Sequence, residues 1–170
     1  MSKVHLIEGP VGAGKSTFAK SMALRIGGIH VPLDEWFARL FSPDRPATDF
    51  VPWYVERKKR LHELIWSHAR DIVASGKDAI LEIGLIQRQS RVTFYRRVVD
   101  EGLDLAVHVL DAPREVRRLR VQRRNAERGP TFSMVVPDAV FEMASDMWEP
   151  PDEVEQSEFS IEFMGSEQRE

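Results

Sequence analysis

The sequence predicts an α/β fold built on a five-stranded, mostly parallel sheet. Short apolar segments with strand character alternate with longer segments of helical periodicity along the 170 residues. Residues 79–83 are almost continuously apolar, which is typical of a parallel strand that is covered on both faces. Residues 9–16 form a glycine-rich connection between the first strand and the first helix. These three observations favour parallel strands joined by right-handed helical crossovers.

The glycine-rich connection has the sequence GPVGAGKS, which matches the Walker A pattern G-x-x-x-x-G-K-[ST]. Glycine lets successive backbone N–H groups point inward toward a phosphate, and the following helix adds free N–H groups and the positive end of its dipole. A β-rich segment at residues 4–8 precedes the connection, and Phe18, Met22 and Ile26 follow it at helical spacing. This strand–loop–helix context predicts a nucleotide-binding loop.

We expect the loop to bind the phosphates of ATP together with Mg²⁺. Lys15 is predicted to reach the β- and γ-phosphates, and the hydroxyl of Ser16 is predicted to complete the metal shell. The alternative is a glycine turn that happens to contain a lysine, and the flanking strand and helix argue against it. The predicted nucleotide-binding residues of the loop are Gly9, Gly12, Ala13, Gly14, Lys15, Ser16 and Thr17.

The remaining elements alternate in the same way. Strands are predicted at residues 29–33, 79–83 and 105–110, and helices at residues 35–41, 51–75, 89–101, 114–127 and 137–148. We assign residues 1–150 to one domain, within which residues 113–136 are predicted to form a hinged helical lid. The acidic segment 151–170 is predicted to form an edge strand, because apolar residues alternate at 159–163, or to be partly disordered.

The composition is that of an ordinary soluble globular protein, with a net charge of −3 and 42% hydrophobic residues. This charge balance gives no indication of nucleic-acid binding. The absence of cysteine excludes disulfides and thiolate metal sites. The first strand begins close to the N-terminus, and no apolar run approaches membrane-spanning length, so we expect a cytoplasmic protein without a membrane segment.

Three acidic residues lie at the ends of predicted strands, where ligands bind in open α/β sheets. Asp34 follows the second strand, beside the expected γ-phosphate, and is a candidate base toward a hydroxyl group. The same residue is equally well placed to cap the following helix. Glu82 lies in an apolar strand, where its charge needs a magnesium ion or a buried arginine, and we favour magnesium. Asp111 lies two residues before Pro113 and is predicted to cap the helix that follows.

The helix predicted at residues 114–127 is strongly basic. Arg117, Arg120 and Arg124 share one face because they are spaced by three and four residues. A stripe of guanidinium groups repels itself unless an anion lies across it, and phosphoryl transfer needs such cations around the γ-phosphate. We therefore predict that Arg120 and Arg124 bind the nucleotide and take part in catalysis. The alternative is a solvated basic surface.

A second basic run, RKKR at residues 57–60, lies on the long helix predicted at residues 51–75. Such a run is usually a solvated helix face, and we favour that interpretation over a phosphate-binding patch. Aromatic residues nearby, including Trp53 and Tyr54, are expected to pack mainly in the core. Their alternative role is to line a pocket for the acceptor.

Taken together, these motifs resemble the small P-loop kinases of the nucleoside-monophosphate-kinase-like group, in particular the AAA-33-type ATP-binding proteins. Chloramphenicol phosphotransferase, zeta toxin and the kinase half of polynucleotide kinase look like relatives of that type. The resemblance spans roughly residues 3–150. The shared motifs are the phosphate loop at residues 9–16, Asp34, Glu82 and the sequence Arg120-x-x-x-Arg124-Asn125. The resemblance implies a P-loop NTPase three-layer fold with an arginine-rich helical lid.

The resemblance also implies an activity, that of an ATP- and magnesium-dependent phosphotransferase that acts on a hydroxyl group of a small molecule. In the group, the acid corresponding to Asp34 commonly acts as the base toward the acceptor. Arg88 and Arg91 lie where such kinases often contact substrate. Where this chain has Glu82, the group often carries aspartate. Two alternatives stay open: a nucleotide or polynucleotide 5′-hydroxyl kinase, and an ATP-binding switch that binds a partner protein.

Overall fold

The computed structural model describes residues 1–130 and 132–165. The five strands of its sheet are β1 (Lys3–Glu8), β2 (Ile29–Pro32), β3 (Ala79–Glu82), β4 (Asp104–Leu110) and β5 (Ile161–Met164). Their spatial order is β2-β3-β1-β4-β5, and each neighbouring pair is parallel. The sheet predicted to be mostly parallel is therefore parallel throughout.

Helices connect the strands. They are α1 (Lys15–Ile26), α2 (Leu33–Phe41), α3 (Phe50–Ala74), α4 (Arg88–Asp100), α5 (Arg114–Glu127), α6 (Asp138–Asp146) and α7 (Glu153–Glu158). A short 3₁₀ turn at Ser42–Asp44 follows α2. Within the ranges the structure describes, no helix combines the length and the apolar character that crossing a bilayer requires.

The sheet lies between two layers of helices. On one face, Val4 and Leu81 belong to a core cluster that includes Ile65 of α3. On the opposite face, Ile80 belongs to a second cluster with Met22 of α1. Side chains alternate between the faces along each strand, so β3 contributes to both clusters. This is the predicted three-layer arrangement.

Two predicted helix caps are not formed. Helix α2 begins at Leu33, so Asp34 lies in its first turn, and no side chain caps the helix. The prediction that Asp111 caps the basic helix is wrong. Its Oδ1 accepts a hydrogen bond from the amide of Ala112 at 2.7 Å, and α5 begins three residues after Asp111, with Pro113 at the cap position. The residue before a proline is disfavoured in helical conformation, which delays the start of the helix.

The C-terminal segment completes the sheet. Residues 161–164 form β5 beside β4, which is the edge-strand alternative for this segment. Helix α7 was not predicted, although its start carries a sequence signal. The carboxylate of Asp152 accepts from the amide of Glu155 while the Glu155 side chain accepts from the amide of Asp152, which is a capping box. Residues 153–158 and 161–164 are helix and strand, and residues 166–170 lie outside the described part.

A buried ionic network ties α7 to the strand that leads into the phosphate loop. Arg91 is fully buried and donates to both carboxylate oxygens of Glu155, at 3.0 and 3.1 Å. Its Nε lies 3.7 Å from a carboxylate oxygen of Glu8, which also accepts from the hydroxyl of Tyr95 at 2.7 Å. Burial raises the pKa of Glu8 to about 8, against the opposing effect of the Tyr95 hydrogen bond. With Glu8 protonated at neutral pH, Arg91 and Glu155 balance each other's charge.

We predict that Arg91→Met lowers the free energy of unfolding by about 3–5 kcal/mol, because it leaves Glu155 buried without its cation. Arg96→Met is the matched control. Arg96 is exposed and lies 3.8 Å from Glu158, so its removal should change stability by less than about 1 kcal/mol. Urea denaturation of the three proteins measures the difference. Equal stability of both variants would show that the network does not hold α7.

Candidate active site

The phosphate loop follows β1 and leaves no room for side chains at two of its glycines. Gly9 has a φ of +144° and Gly12 a φ of +80°, values that side chains rarely adopt. A Cβ at Gly9 would lie 2.1 Å from the carbonyl oxygen of Leu110, and one at Gly12 would lie 2.7 Å from that of Arg117. The loop is therefore pressed against the end of β4 and the start of α5.

The amino end of α1 carries the cation of the loop. Lys15 is the first residue of the helix, and its Nζ donates to the carbonyl oxygens of Gly9 and Pro10, both at 2.9 Å. Burial lowers the pKa of Lys15, while the charges of Glu82 and Asp34 act in the opposite direction. The first amides of α1 have no acceptor inside the helix, so they and the ammonium group can serve one anion together.

Arg117 supports the loop from behind. Its Nη1 donates to the carbonyl oxygen of Val11 at 3.0 Å and to the hydroxyl of Ser145 at 3.1 Å, and its Nε donates to the carbonyl oxygen of Ala112 at 3.0 Å. The side chain is buried, and burial lowers the pKa of Arg117. Helical spacing groups Arg117 with the other arginines of its face, and only the fold shows that this one braces the loop.

Ser16 and Glu82 form a pair of oxygen donors beside Lys15. The Ser16 hydroxyl donates to Glu82 Oε1 at 2.7 Å, and His30 Nε2 lies 3.1 Å from Glu82 Oε2. Burial by itself would raise the pKa of Glu82. The hydrogen bonds from His30 and Ser16 and the charge of Lys15 outweigh it and hold that pKa below its usual range. The partners of Glu82 are thus a hydroxyl, an imidazole and an ammonium group, and no ion pair with an arginine is found within the described ranges, although its charge acts on Arg124.

This donor set fits magnesium that is shared with a nucleotide. Mg²⁺ is usually held by one or two protein oxygens together with substrate phosphates and waters. Ser16 and Glu82 supply a hydroxyl and an ionised carboxylate side by side. In the part of the chain that the structure describes, no group of three or more His, Asp or Glu side chains would hold a metal alone.

Arg120 and Arg124 of α5 line the same cavity, whose volume is about 700 Å³. The Nε of Arg124 is buried and has no hydrogen-bond partner among residues 1–130 and 132–165. Burial lowers the pKa of Arg124, and the charges of Asp34 and Glu82 only partly oppose that effect. A partly buried guanidinium group with an unused donor is suited to an anionic ligand.

Asp34 faces the phosphate loop from α2. It lines the cavity together with Lys15 and Tyr54, and its charge acts on the pKa of both. Burial, together with the charge of Asp34, raises the pKa of Tyr54 to about 12, so the phenol keeps its proton at neutral pH. The predicted base and the predicted nucleotide-binding loop therefore meet in one cavity.

The segment after α5 covers the cavity from the other side. Pro130, Phe132 and other residues of this segment line it. The Nζ of Lys20 donates to the carbonyl oxygen of Pro130 at 2.8 Å. Asn125 exchanges two hydrogen bonds with the backbone of Val136, at 2.8 and 3.1 Å. These contacts attach residues 130 and 136 to α1 and α5, and a hinged lid stays a prediction.

Arg88 and Arg91 lie elsewhere. Arg88 Nε donates to Asp152 Oδ2 at 2.7 Å, and Arg91 is the buried partner of Glu155. Neither arginine is among the residues that line the cavity at the phosphate loop. Their contacts anchor α7, and we do not include them in the proposed site.

Comparisons with known proteins agree with this geometry. A family model described as an AAA domain, AAA_33, matches residues 4–151. None of the curated proteins matches the chain significantly in sequence.

Three solved structures illustrate the similarity in fold. The chain is similar to a sugar kinase from Janibacter sp. HTCC2649, with 17% identity over 96% of this chain and 85% of that chain and a TM-score of 0.63. It is also similar to a gluconokinase from Sinorhizobium meliloti 1021, with 19% identity over 98% of this chain and 84% of that chain and a TM-score of 0.56. For Chaetomium thermophilum Kti12 in complex with ADP-AlF3, the identity is 12%, the coverage 98% and 91%, and the TM-score 0.72.

We predict that Arg124→Met weakens ATP binding about 10- to 100-fold without destabilising the protein when no nucleotide is present. The change removes a partly buried charge with an unused donor, so the unfolding temperature without ATP should stay the same or rise. Arg96→Met is the control, because Arg96 is exposed and is not among the residues that line the cavity. Thermal unfolding with and without ATP and Mg²⁺ measures both effects. A variant that binds ATP as well as the control would contradict the assignment.

Proposed function

We propose that this chain, which belongs to the AAA_33 family, is an ATP- and magnesium-dependent kinase that phosphorylates a hydroxyl group of a small molecule. One observation carries the proposal. The carboxylate of Asp34 lines the same cavity as Lys15, Ser16, Arg120 and Arg124. A base and a phosphate-binding site that share one cavity are what phosphoryl transfer to a hydroxyl group requires.

In this proposal, the loop amides and Lys15 bind the β- and γ-phosphates. Arg120 and Arg124 approach the γ-phosphate from α5 and neutralise charge on its oxygens during transfer. Ser16 and Glu82 hold the magnesium ion. When bound, the metal neutralises charge on the phosphate oxygens.

The proposed reaction is a direct transfer. Asp34 accepts the proton of the acceptor hydroxyl as its oxygen forms a bond to the γ-phosphorus, and the bond from that phosphorus to the bridging oxygen of ATP breaks. The products are a phosphate monoester and ADP. The covering segment around Phe132 excludes water, which would otherwise compete with the acceptor.

The polynucleotide alternative requires a continuous basic stripe with stacking aromatics. In the run at residues 57–60, Arg57 instead stacks on Trp53, with its guanidinium carbon 4.5 Å from the ring centroid, and Arg60 pairs with Glu56. These contacts favour a small acceptor. The switch alternative differs in its chemistry, because a switch would hydrolyse ATP slowly and transfer no phosphate to an acceptor.

We predict that Asp34→Asn lowers the turnover of phosphate transfer by about 10²- to 10⁴-fold and leaves ATP affinity nearly unchanged. The amide cannot accept the proton, while the phosphate loop stays intact. Asp44→Asn is the control, because Asp44 is exposed and is not among the residues that line the cavity. Mass spectrometry of a panel of hydroxyl compounds, incubated with ATP and Mg²⁺, detects the gain of one phosphate.

Two outcomes would contradict the proposal. Hydrolysis of ATP with no phosphorylated compound in any reaction would support the switch instead. Unchanged turnover in Asp34→Asn, with ATP still bound, would remove Asp34 from the mechanism.

A further inference from the structure

Lys20, Lys58 and Arg123 line the cavity and have no role in the proposed mechanism, but Lys20 donates to the carbonyl oxygen of Pro130 and Arg123 pairs with Glu127. Lys58 of α3 lines the cavity, and among the described lining residues the other cationic side chains lie on α1 or α5. Those helices carry the phosphate-binding groups. Lys58 therefore stands on the acceptor side, on the same helix as Tyr54.

The four side chains of the basic run at residues 57–60 differ in their contacts and in their exposure to solvent. Arg57 stacks on Trp53, and Arg60 pairs with Glu56 on the exposed face of the helix. Lys59 is exposed, whereas Lys58 is half-buried. The solvated-face interpretation therefore holds for part of the run and fails for Lys58.

The surroundings of Lys58 hold its charge near the end of β3. Its Nζ lies 3.9 Å from where a Cβ of Gly84 would stand, two residues beyond Glu82. The Nζ also lies 5.8 Å from the centroid of the Tyr54 ring. Burial and the charge of Lys58 lower the pKa of His62 to about 4, so His62 adds no charge at neutral pH.

Lys58 has no carboxylate partner within the described ranges. The acidic residues that line the cavity are Asp34, Glu35, Glu82 and Glu127, and none forms an ion pair with its ammonium group. A half-buried ammonium group at the wall of a cavity, with no carboxylate beside it, is available to bind an anionic ligand.

We infer that the acceptor is a small hydroxy acid whose carboxylate binds Lys58 while its hydroxyl group faces Asp34. This inference rests on the proposed kinase function and narrows its substrate class. One ammonium group balances the single charge of a carboxylate. A phosphate monoester carries about two charges at neutral pH and is usually bound by arginine forks, which the acceptor side of this cavity does not offer among its described residues.

The test compares matched acids and neutral alcohols as acceptors. Gluconate is paired with glucose and glycerate with glycerol, and glycerol phosphate is included as the phosphate-bearing compound. We predict that the wild type prefers the acid of each pair, and that Lys58→Met lowers kcat/KM for the acid about 10- to 100-fold, mainly through KM. The KM for ATP should not change. Lys59→Met, which removes the exposed neighbouring charge, should behave like the wild type.

A binding measurement keeps the inference testable apart from turnover. With ADP and Mg²⁺ present, millimolar gluconate should shift the backbone amide resonances of Tyr54 and Gly84 in the wild type and in Lys59→Met. It should not shift them in Lys58→Met, and glucose should have little effect on any of the three proteins.

Each contrary result has a definite meaning. Equal use of acids and neutral alcohols, a preference for glycerol phosphate, or equal loss in Lys58→Met for both members of a pair would overturn the inference and leave the kinase proposal standing. No gluconate-dependent shift at Tyr54 or Gly84 would overturn it as well. No transfer to any compound, with the shifts present, would contradict the kinase proposal instead.

Discussion

The close packing of the phosphate loop against its neighbours is the constraint on which the rest of the site depends. Gly9 lies against the end of β4 and Gly12 against the start of α5, both without space for a Cβ. Arg117 then fixes the loop through the carbonyl oxygen of Val11. Because β1 and β4 are parallel neighbours in register, the loop emerges where α5 can reach it. The loop geometry therefore also sets the position of Arg124.

The charged groups around the phosphate loop differ in how well other protein groups pair with them. Lys15 and Glu82 partly balance each other, and Ser16 joins the carboxylate to the start of α1. Arg124 and Lys58 are less well satisfied by the protein, since neither forms an ion pair within the described ranges. Cations that line a cavity and have no carboxylate beside them are available to anionic ligands. We interpret their positions as two anion sites, one for the nucleotide and one for the acceptor.

Local sequence patterns were sufficient to predict the sheet, the loop and the helix that follows it. The Walker A spacing identifies Lys15 and Ser16 because the chemistry depends on neighbours in the chain. Contacts between distant segments were not predictable in the same way. Arg91 and Glu155 are 64 residues apart, and nothing in their local sequence indicates that they pair. For the same reason, spacing along α5 grouped Arg117 with residues that face the cavity.

The most direct test of this account is a calorimetric titration of ATP with Mg²⁺ into the wild type and into Lys15→Met. The account predicts saturable binding to the wild type and a loss of affinity of at least about 100-fold in the variant, because Lys15 is the central cation of the loop. Circular dichroism and thermal unfolding establish that the variant is folded. Equal affinity in the two folded proteins, or no binding of ATP by the wild type, would contradict the assignment of this loop as the nucleotide site.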